Sequence, residues 1–176
     1  MKDPAPLVTI GLPVYNAETT LHSAVQSIIS QTYSKWTLLL LDDGSTDGSL
    51  KIARSFRDDR IVVVTDGINK GISARLNQAV SMTGGKYFCR MDADDIAFPD
   101  RLEKQVVFLE SNPKVDLVAS SIAFFRNDGS LYGVVQVPEC HEEICKSPWQ
   151  GFHFPHPTWM GKTAWFKVHP YQSHAN

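Results

Sequence analysis

Short apolar runs alternate with segments of helical spacing along the first 113 residues. Runs at 7–12, 36–41, 61–64 and 87–91 predict four strands, because apolar and β-branched residues follow one another there with little interruption. After each run, apolar side chains recur every three or four residues, which predicts four helices. Strands this apolar are buried on both faces. We therefore expect an α/β fold with a mostly parallel central sheet and helices on both of its faces.

The polar residues between the runs predict where these helices begin. Asn16 or Thr19 is expected to cap the first helix, since both side chains can accept a hydrogen bond from a free backbone N–H. Ser45 or Thr46 is expected to cap the second helix, which would continue to Phe56. Pro, Asn and Gly residues bound the other two helices in the same way.

The pattern changes after residue 113. Runs at 117–125 and 131–137, joined through 127–129, predict a β-hairpin in the C-terminal third, and 141–146 predicts a short helix. The remainder is irregular and rich in aromatic residues, most of which we expect to pack in a core. These aromatic residues are Trp149, Phe152, Phe154, Trp159, Trp165, Phe166 and Tyr171. Because the sequence shows no internal repeat and no interdomain linker, we expect one domain over residues 1–176.

Composition narrows the class of protein. A net charge of −2 and the absence of a basic run give no reason to expect a nucleic-acid partner. The 3 cysteines have no Cys-x-x-Cys spacing, which favours a reducing, cytoplasmic compartment. No stretch approaches the roughly 18 apolar residues of a membrane-spanning helix. Peripheral attachment to a membrane is left open.

Three polar clusters follow the predicted strands. Residues 13–16 follow the first strand, 42–43 the second and 92–95 the fourth. Since ligands of open α/β sheets bind beyond the carboxyl ends of the strands, we expect the three clusters to converge on one crevice.

The acidic cluster Asp92, Asp94 and Asp95 has two interpretations. It can be a solvated turn before the helix near Pro99, where carboxylates favour the helix N-terminus. It can also be a metal site, because carboxylate oxygens at alternate positions suit Mg²⁺ or Mn²⁺, which bind through one or two carboxylates plus substrate phosphates. Convergence of the other clusters favours the second interpretation.

Several other site types do not fit. The chain has no Gly-x-Gly-x-x-Gly after its first strand, no P-loop and no Gly-x-Ser-x-Gly, and Ile96 breaks a calcium loop. A sugar nucleotidyltransferase would need a glycine-rich loop with a basic residue at 13–16. An aspartyl-phosphate phosphohydrolase usually has its Asp-x-Asp on the first strand and further Asp residues later, whereas here no Asp follows Asp128.

The chain resembles the N-terminal catalytic region of a family 2 glycosyltransferase with the GT-A fold. Five segments in the family's order and spacing carry this resemblance, and together they cover nearly the whole chain. They are Pro13-Val14-Tyr15-Asn16, Asp42-Asp43-Gly44-Ser45-Thr46-Asp47, Asn69-Lys70-Gly71-Ile72-Ser73-Ala74-Arg75, Asp92-Ala93-Asp94-Asp95 with Pro99-Asp100-Arg101-Leu102, and His156-Pro157-Thr158-Trp159-Met160.

The resemblance implies a role for each matching residue. Asp94 would be the principal ligand of Mn²⁺ or Mg²⁺, Asp92 would contact the ribose or the metal, and Asp95 would face the donor sugar. Tyr15 would pack beside the base of a nucleotide sugar, most often a UDP-sugar, and Asp42 would bond its edge. The nucleotide-binding residues implied in this way are Pro13, Tyr15, Asn16, Asp42, Asp43, Arg75 and Asp92.

The resemblance also implies transfer with inversion to an acceptor hydroxyl, which needs a general base. In the family this base is a carboxylate shortly after the His-Pro segment, but no carboxylate follows Glu143 here. We expect the base beyond Asn176, in a chain that is incomplete at its C-terminal end and binds donor with little transfer. A non-catalytic nucleotide-sugar-binding module is the alternative.

Family analogy suggests a saccharide or lipid-linked saccharide acceptor, as in cell-surface polysaccharide or glycolipid biosynthesis, with the protein cytoplasmic or at the inner face of the membrane.

The four histidines of the tail are not expected to be bases or zinc ligands, because their spacing is irregular. We expect His156 to shape an acceptor-side loop, and His153, His169 and His174 to lie at the surface.

Overall fold

The central sheet of the protein has six strands in the order β3-β2-β1-β4-β8-β5. A computed structural model describes residues 6–126, 128–146 and 154–172. The strands of this sheet are β1 (Val8–Val14), β2 (Trp36–Asp42), β3 (Ile61–Thr65), β4 (Tyr87–Arg90), β5 (Leu117–Val118) and β8 (Met160–Lys162). The pairings among β1 to β4 are all parallel, so their carboxyl ends meet at one edge, while β8 runs antiparallel to both β4 and β5.

Helices cover both faces of this sheet, as the sequence predicts. They are α1 (Leu21–Ile29), α2 (Ser49–Ala53), α3 (Ile72–Met82), α4 (Arg101–Ser111), α5 (His141–Lys146) and α6 (Thr163–Val168). Apolar residues of α1, α2 and α4 pack against one face, which presents alternate residues of β1 such as Ile10. Residues of α3 and α6 pack against the opposite face, which presents Leu39, Leu41 and Phe88. Alternate side chains of these strands thus enter two separate cores.

The predicted β-hairpin is present but shorter than expected. It consists of β6 (Ile122–Phe125) and β7 (Leu131–Val135), which form a separate antiparallel two-stranded sheet. Leu117–Val118, expected at the start of the hairpin, instead pairs with β8 in the central sheet. Asn127, expected in the hairpin turn, lies outside the described residues.

The prediction of an irregular tail is wrong for residues 160–168. Met160–Lys162 forms β8 and Thr163–Val168 forms α6. A three-residue strand leaves too little periodicity to detect, and non-local contacts hold it: Lys162 N–H donates to the Asp116 carbonyl at 2.9 Å. Gly161 permits the close approach, since a Cβ there would lie 2.5 Å from the Asp116 oxygen.

The predicted helix caps are also wrong. None of the four predicted residues caps a helix: α1 begins after Thr20, and α2 begins after Gly48, is only five residues long and does not reach Phe56. Asn16 Oδ1 instead accepts the Thr46 N–H at 2.8 Å, and the Ser45 N–H donates to Asp42 Oδ1 at 3.1 Å. These polar side chains join the loops that follow β1 and β2.

Four of the five described tail aromatics pack against the α3 and α6 side of the sheet, and the fifth, Phe154, contacts Trp159 edge-on with ring centroids 5.9 Å apart. Phe166 is buried, and Trp159, Trp165 and Tyr171 pack partly buried against the same cluster, which confirms their predicted core role. Trp149 and Phe152 lie outside the described residues. Within the described ranges, no helix is both long and apolar enough to cross a membrane.

Candidate active site at the carboxyl edge of the sheet

A cleft of about 600 Å³ opens at the carboxyl ends of the parallel strands. That volume is in the range of about 300–1,000 Å³ typical of small-molecule sites. The three polar clusters predicted to converge do meet here, together with the N-terminus of α3. Residues lining the cleft include Pro13, Tyr15, Asn16, Asp43, Asn69, Gly71, Ile72, Asp92 and Asp94.

The loop after β1 presents an aromatic wall. Tyr15 lines the cleft and is 53% exposed, so its ring is open to a ligand. Asn16 takes a φ of +49°, a left-handed conformation that asparagine tolerates better than most residues. The Asn16 N–H donates to Ser45 Oγ at 3.2 Å, and its side chain accepts from Thr46. These bonds fix the loop that carries Tyr15.

Asp42 and Asp43 occupy different positions although both are buried. Asp42 accepts from Ser45 N–H and, at 2.8 Å, from the Thr65 hydroxyl, so its carboxylate joins the ends of β2 and β3. Asp43 lines the cleft, and its carboxylate accepts the Lys70 N–H at 2.7 Å and the Gly71 N–H at 3.0 Å. The cleft therefore offers the carboxylate of Asp43 to a ligand.

Arg75 lies beneath this wall of the cleft and is fully buried. Its Nε donates to Asp43 Oδ1 at 2.8 Å, and its Nη2 donates to Asp66 Oδ1 at 2.7 Å and to the Ile68 carbonyl at 2.5 Å. Hydrogen bonding to Asp66 is the main cause that raises the pKa of Arg75, and the same bond holds the pKa of Asp66 well below its usual range. The guanidinium thus binds the 66–71 loop to Asp43.

Asn69, Gly71 and Ile72 were not predicted as site residues. All three line the cleft at the start of α3. Gly71 has a φ of +83°, a conformation that L side chains rarely adopt, and this geometry directs its N–H to Asp43. The Asn-Lys-Gly sequence before a helical pattern was the available signal.

The acidic cluster after β4 presents two carboxylates to the cleft, one paired with a cation and one unpaired in the described part of the chain. Asp92 is held by Arg90, whose Nη2 lies 2.8 Å from Asp92 Oδ1 and 3.0 Å from Oδ2. Asp94 is exposed, and among the described residues no hydrogen bond or ion pair engages its carboxylate. Arg90 thus neutralises the first carboxylate, while the second is available to a cation.

The carboxylate of Asp94 is a suitable ligand for the predicted Mn²⁺ or Mg²⁺ ion. Within the described ranges no group of three or more His, Cys, Asp or Glu could hold an ion by itself. Mg²⁺ and Mn²⁺ sites of the kind used with phosphates need only one or two carboxylates, the substrate supplying further oxygens. One available carboxylate beside a paired one satisfies that requirement.

Asp95 faces away from the cleft. It lines a groove of about 820 Å³, here called the apolar groove, together with Phe98, Ile122, Phe125 and His156. Burial, and then the nearby charges of Asp92 and Asp94, raise the pKa of Asp95 to about 6. The 92–95 loop is therefore a partition between the cleft and the apolar groove.

His156 lies on the groove side of this partition, in a 3-10 turn at His156–Thr158. Its Nδ1 contacts Arg90 Nη1, and its ring packs edge-on to Trp159 with centroids 4.4 Å apart. His169 is exposed, as predicted, whereas His153 and His174 lie outside the described residues. Arg90 was not predicted, because a cation inside an apolar strand gives no local signal of a site.

Comparison with known proteins gives consistent matches. A family model for glycosyl transferase family 2 matches residues 9–169. The Bacillus subtilis protein named "Putative glycosyltransferase EpsE" is 42% identical over 127 residues, which cover 70% of this chain and 46% of that protein. The Escherichia coli protein named UDP-Glc:alpha-D-GlcNAc-diphosphoundecaprenol beta-1,3-glucosyltransferase WfgD is 36% identical over 133 residues, 76% of this chain and 52% of that protein.

Solved structures confirm the GT-A fold. S. aureus TarS 1-349 in complex with UDP aligns with a TM-score of 0.74 at 22% identity, over 93% of this chain and 48% of that one. The mannosyltransferase PcManGT from Pyrobaculum calidifontis, in complex with GDP-Man and Mn²⁺, aligns with a TM-score of 0.71 at 21% identity, over 94% and 47%. The chain spans about half the length of these relatives and structures.

Proposed function

This chain belongs to glycosyltransferase family 2, and we propose that its cleft binds the nucleotide of a nucleoside diphosphate sugar, with a UDP-sugar as the first choice. The observation that carries the proposal is the convergence of Tyr15, Asp43, Asp92 and Asp94 on one cleft. The UDP complex of TarS, the GDP-Man complex of PcManGT and the UDP-Glc in the name of the E. coli relative support the donor class.

The base and ribose sites follow from the side chains that reach the cleft. Tyr15 packs on the base, and Pro13 and Asn16 shape the wall beside it. Asp43 accepts a hydrogen bond from the edge of the base with its remaining acceptor capacity, since a carboxylate offers about four acceptor sites. Asp42 supports this wall from behind, through Ser45 and Thr65. Arg75 acts through Asp43 and makes no direct contact with the nucleotide.

The three carboxylates of the 92–95 loop have different roles. Asp92, held by Arg90, accepts from the ribose hydroxyls, and Asp94 holds Mn²⁺ or Mg²⁺. When bound, the cation neutralises the negative charge that develops on the diphosphate leaving group. Asp95 lies where the donor sugar meets the apolar groove, and the charge of the cation offsets the repulsion among the three carboxylates.

The reaction we propose is transfer of the sugar to an acceptor hydroxyl with inversion, with a general base that takes the proton of that hydroxyl. The lipid-linked GlcNAc in the name of the E. coli relative supports a saccharide or lipid-linked saccharide acceptor. We also propose action at the cytoplasmic face of a membrane, by family analogy alone. One domain over residues 1–176 is a further part of the proposal.

Calorimetric titration with UDP, GDP and dTDP tests the donor site. We expect one nucleotide to bind in Mn²⁺ and to lose its affinity in chelator. Binding that is equal with and without metal would contradict the role of Asp94. No binding of any nucleotide by the folded chain would contradict the proposed function.

A further inference from the structure

Arg90 is the residue through which the cleft and the apolar groove are connected. It ends β4, and Asp92 lies two positions later in the loop that follows. Its Nε and Nη2 both donate to Asp92 Oδ1, at 3.0 and 2.8 Å, and Nη2 reaches Oδ2 as well. The Arg90 side chain is only 5% exposed, so the guanidinium is shielded from water, whereas the Asp92 side chain is 25% exposed. The position of Asp92 therefore depends on the position of the guanidinium.

His156 holds the remaining end of that guanidinium. Nη1 of Arg90 contacts His156 Nδ1. A guanidinium can only donate, so Nδ1 must accept, and the imidazole is the neutral tautomer with its proton on Nε2. Loss of this acceptor would leave a buried N–H without a partner, which is unfavourable unless the guanidinium moves.

The imidazole is itself fixed in place. Its ring packs against Trp159 and, at a centroid distance of 5.4 Å, against Tyr171. The turn that carries His156 is held by α4, since Gln105 Nε2 donates to the Thr158 carbonyl at 2.7 Å and Arg101 Nη2 donates to the Pro157 carbonyl at 3.0 Å. A rigid acceptor of this kind can fix a cation in one orientation.

We propose that His156 is a positioning residue for nucleotide binding: its Nδ1 orients Arg90, and Arg90 orients Asp92 toward the ribose. The proposal rests on the proposed function, because Asp92 is the group that acts on the donor. His156 touches no part of the nucleotide and is not a catalytic base. From the groove side of the 92–95 loop, it acts on the cleft only through Arg90 and Asp92.

Two substitutions separate the acceptor atom from the ring that carries it. His156→Phe keeps the flat ring against Trp159 and Tyr171 but removes Nδ1. His156→Asn loses the ring but places a carbonyl oxygen at about the position of Nδ1. By calorimetry with UDP and Mn²⁺, we expect roughly tenfold weaker binding for His156→Phe, comparable to the loss of one hydrogen bond to a charged group. We expect His156→Asn to stay within about threefold of wild type.

Tyr171→Phe is the matched control, since its hydroxyl is buried with no hydrogen-bond partner among the described residues. It should leave UDP affinity unchanged. If His156→Phe binds UDP as tightly as wild type, or if Phe and Asn weaken binding equally, the inference is wrong while the proposed function stands. If wild type binds no nucleotide, the proposed function is wrong and the inference fails with it.

Imidazole ¹⁵N NMR provides a test that needs no ligand and no variant. The inference predicts an unprotonated Nδ1 and a protonated Nε2 for His156 at neutral pH. A proton on Nδ1 would overturn it.

Discussion

On one side of the 92–95 loop the cleft is built on four parallel strands, whereas on the other side the apolar groove is walled partly by a separate two-stranded hairpin. Around the cleft, Arg75 joins the loops after β2 and β3 through Asp43 and Asp66, and Arg90 holds Asp92 after β4. In the hairpin, Phe125, which lines the groove, and Leu131, which does not, remain 47% and 62% exposed. The side chains around the cleft are therefore held in place and can bind a small polar ligand. The exposed hairpin contributes less to the free energy of unfolding.

Removal of the buried guanidinium of Arg75 should have the largest effect on the stability of the protein. Arg75→Met leaves the buried carboxylate of Asp43 without its cation, whereas Asp66 keeps its ion pair with Lys70. We expect the free energy of unfolding to fall by about 3–5 kcal/mol, the usual cost of breaking a buried ion pair on one side. Urea unfolding measures it.

Lys70→Met is the control for that substitution. Lys70 pairs with the same Asp66, but its side chain is 44% exposed, and we expect a loss of less than about 1 kcal/mol. Equal losses in the two variants would mean that burial of Arg75 does not set its contribution.

A pair of leucine truncations compares the two regions directly. Leu40 of β2 is fully buried, so Leu40→Ala should cost about 2–5 kcal/mol of unfolding free energy. Leu131 of β7 is mostly exposed, so Leu131→Ala should cost less than about 0.5 kcal/mol. Chemical denaturation of both variants is the measurement, and a loss above 2 kcal/mol for Leu131→Ala would show that the hairpin belongs to the cooperative core.

Function on the cleft side should depend on Asp94. Asp94→Asn removes the available carboxylate and should weaken metal-dependent UDP binding by at least roughly tenfold. Because the side chain is exposed, thermal unfolding should stay within about 1 °C of wild type. A variant that unfolds instead would show that Asp94 is structural.

At low pH the protein should lose the stability that the ionised Asp66 side chain contributes beside the cleft. Hydrogen bonding to Arg75, and then to Lys70, holds the pKa of Asp66 below its usual range. A depressed folded-state pKa stabilises the protein above the unfolded-state value of about 4, and this contribution is lost as the pH falls below that value. The difference in melting temperature between wild type and Asp66→Asn should therefore shrink between pH 6 and pH 3. A difference that grows toward acid would contradict the assignment.

The part of the fold made from long apolar runs could be predicted from the sequence. Four strands and the convergence of their polar ends follow from continuous runs such as Trp36–Asp42. Met160–Lys162 could not be predicted, because three residues carry no period and the strand depends on partners far along the chain. Non-local contacts also explain why Asn16 joins two loops rather than capping a helix.

The candidate site was predictable by residue type but not by orientation. The sequence pointed to both Asp42 and Asp43, yet only Asp43 lines the cleft. Arg75 was expected near the nucleotide, and the structure buries it behind Asp43. Which side of a loop a carboxylate faces, as for Asp94 and Asp95, depends on packing that no local pattern records.

The central claim is that the nucleotide binds in the cleft and not in the apolar groove. Amide NMR spectra of the chain, recorded with and without UDP and Mg²⁺, test it most directly. We predict shifts at Tyr15, Gly71 and Asp94 and unchanged signals at Ile122 and Phe125 of the hairpin. Shifts confined to the hairpin, with the cleft residues unchanged, would contradict the account.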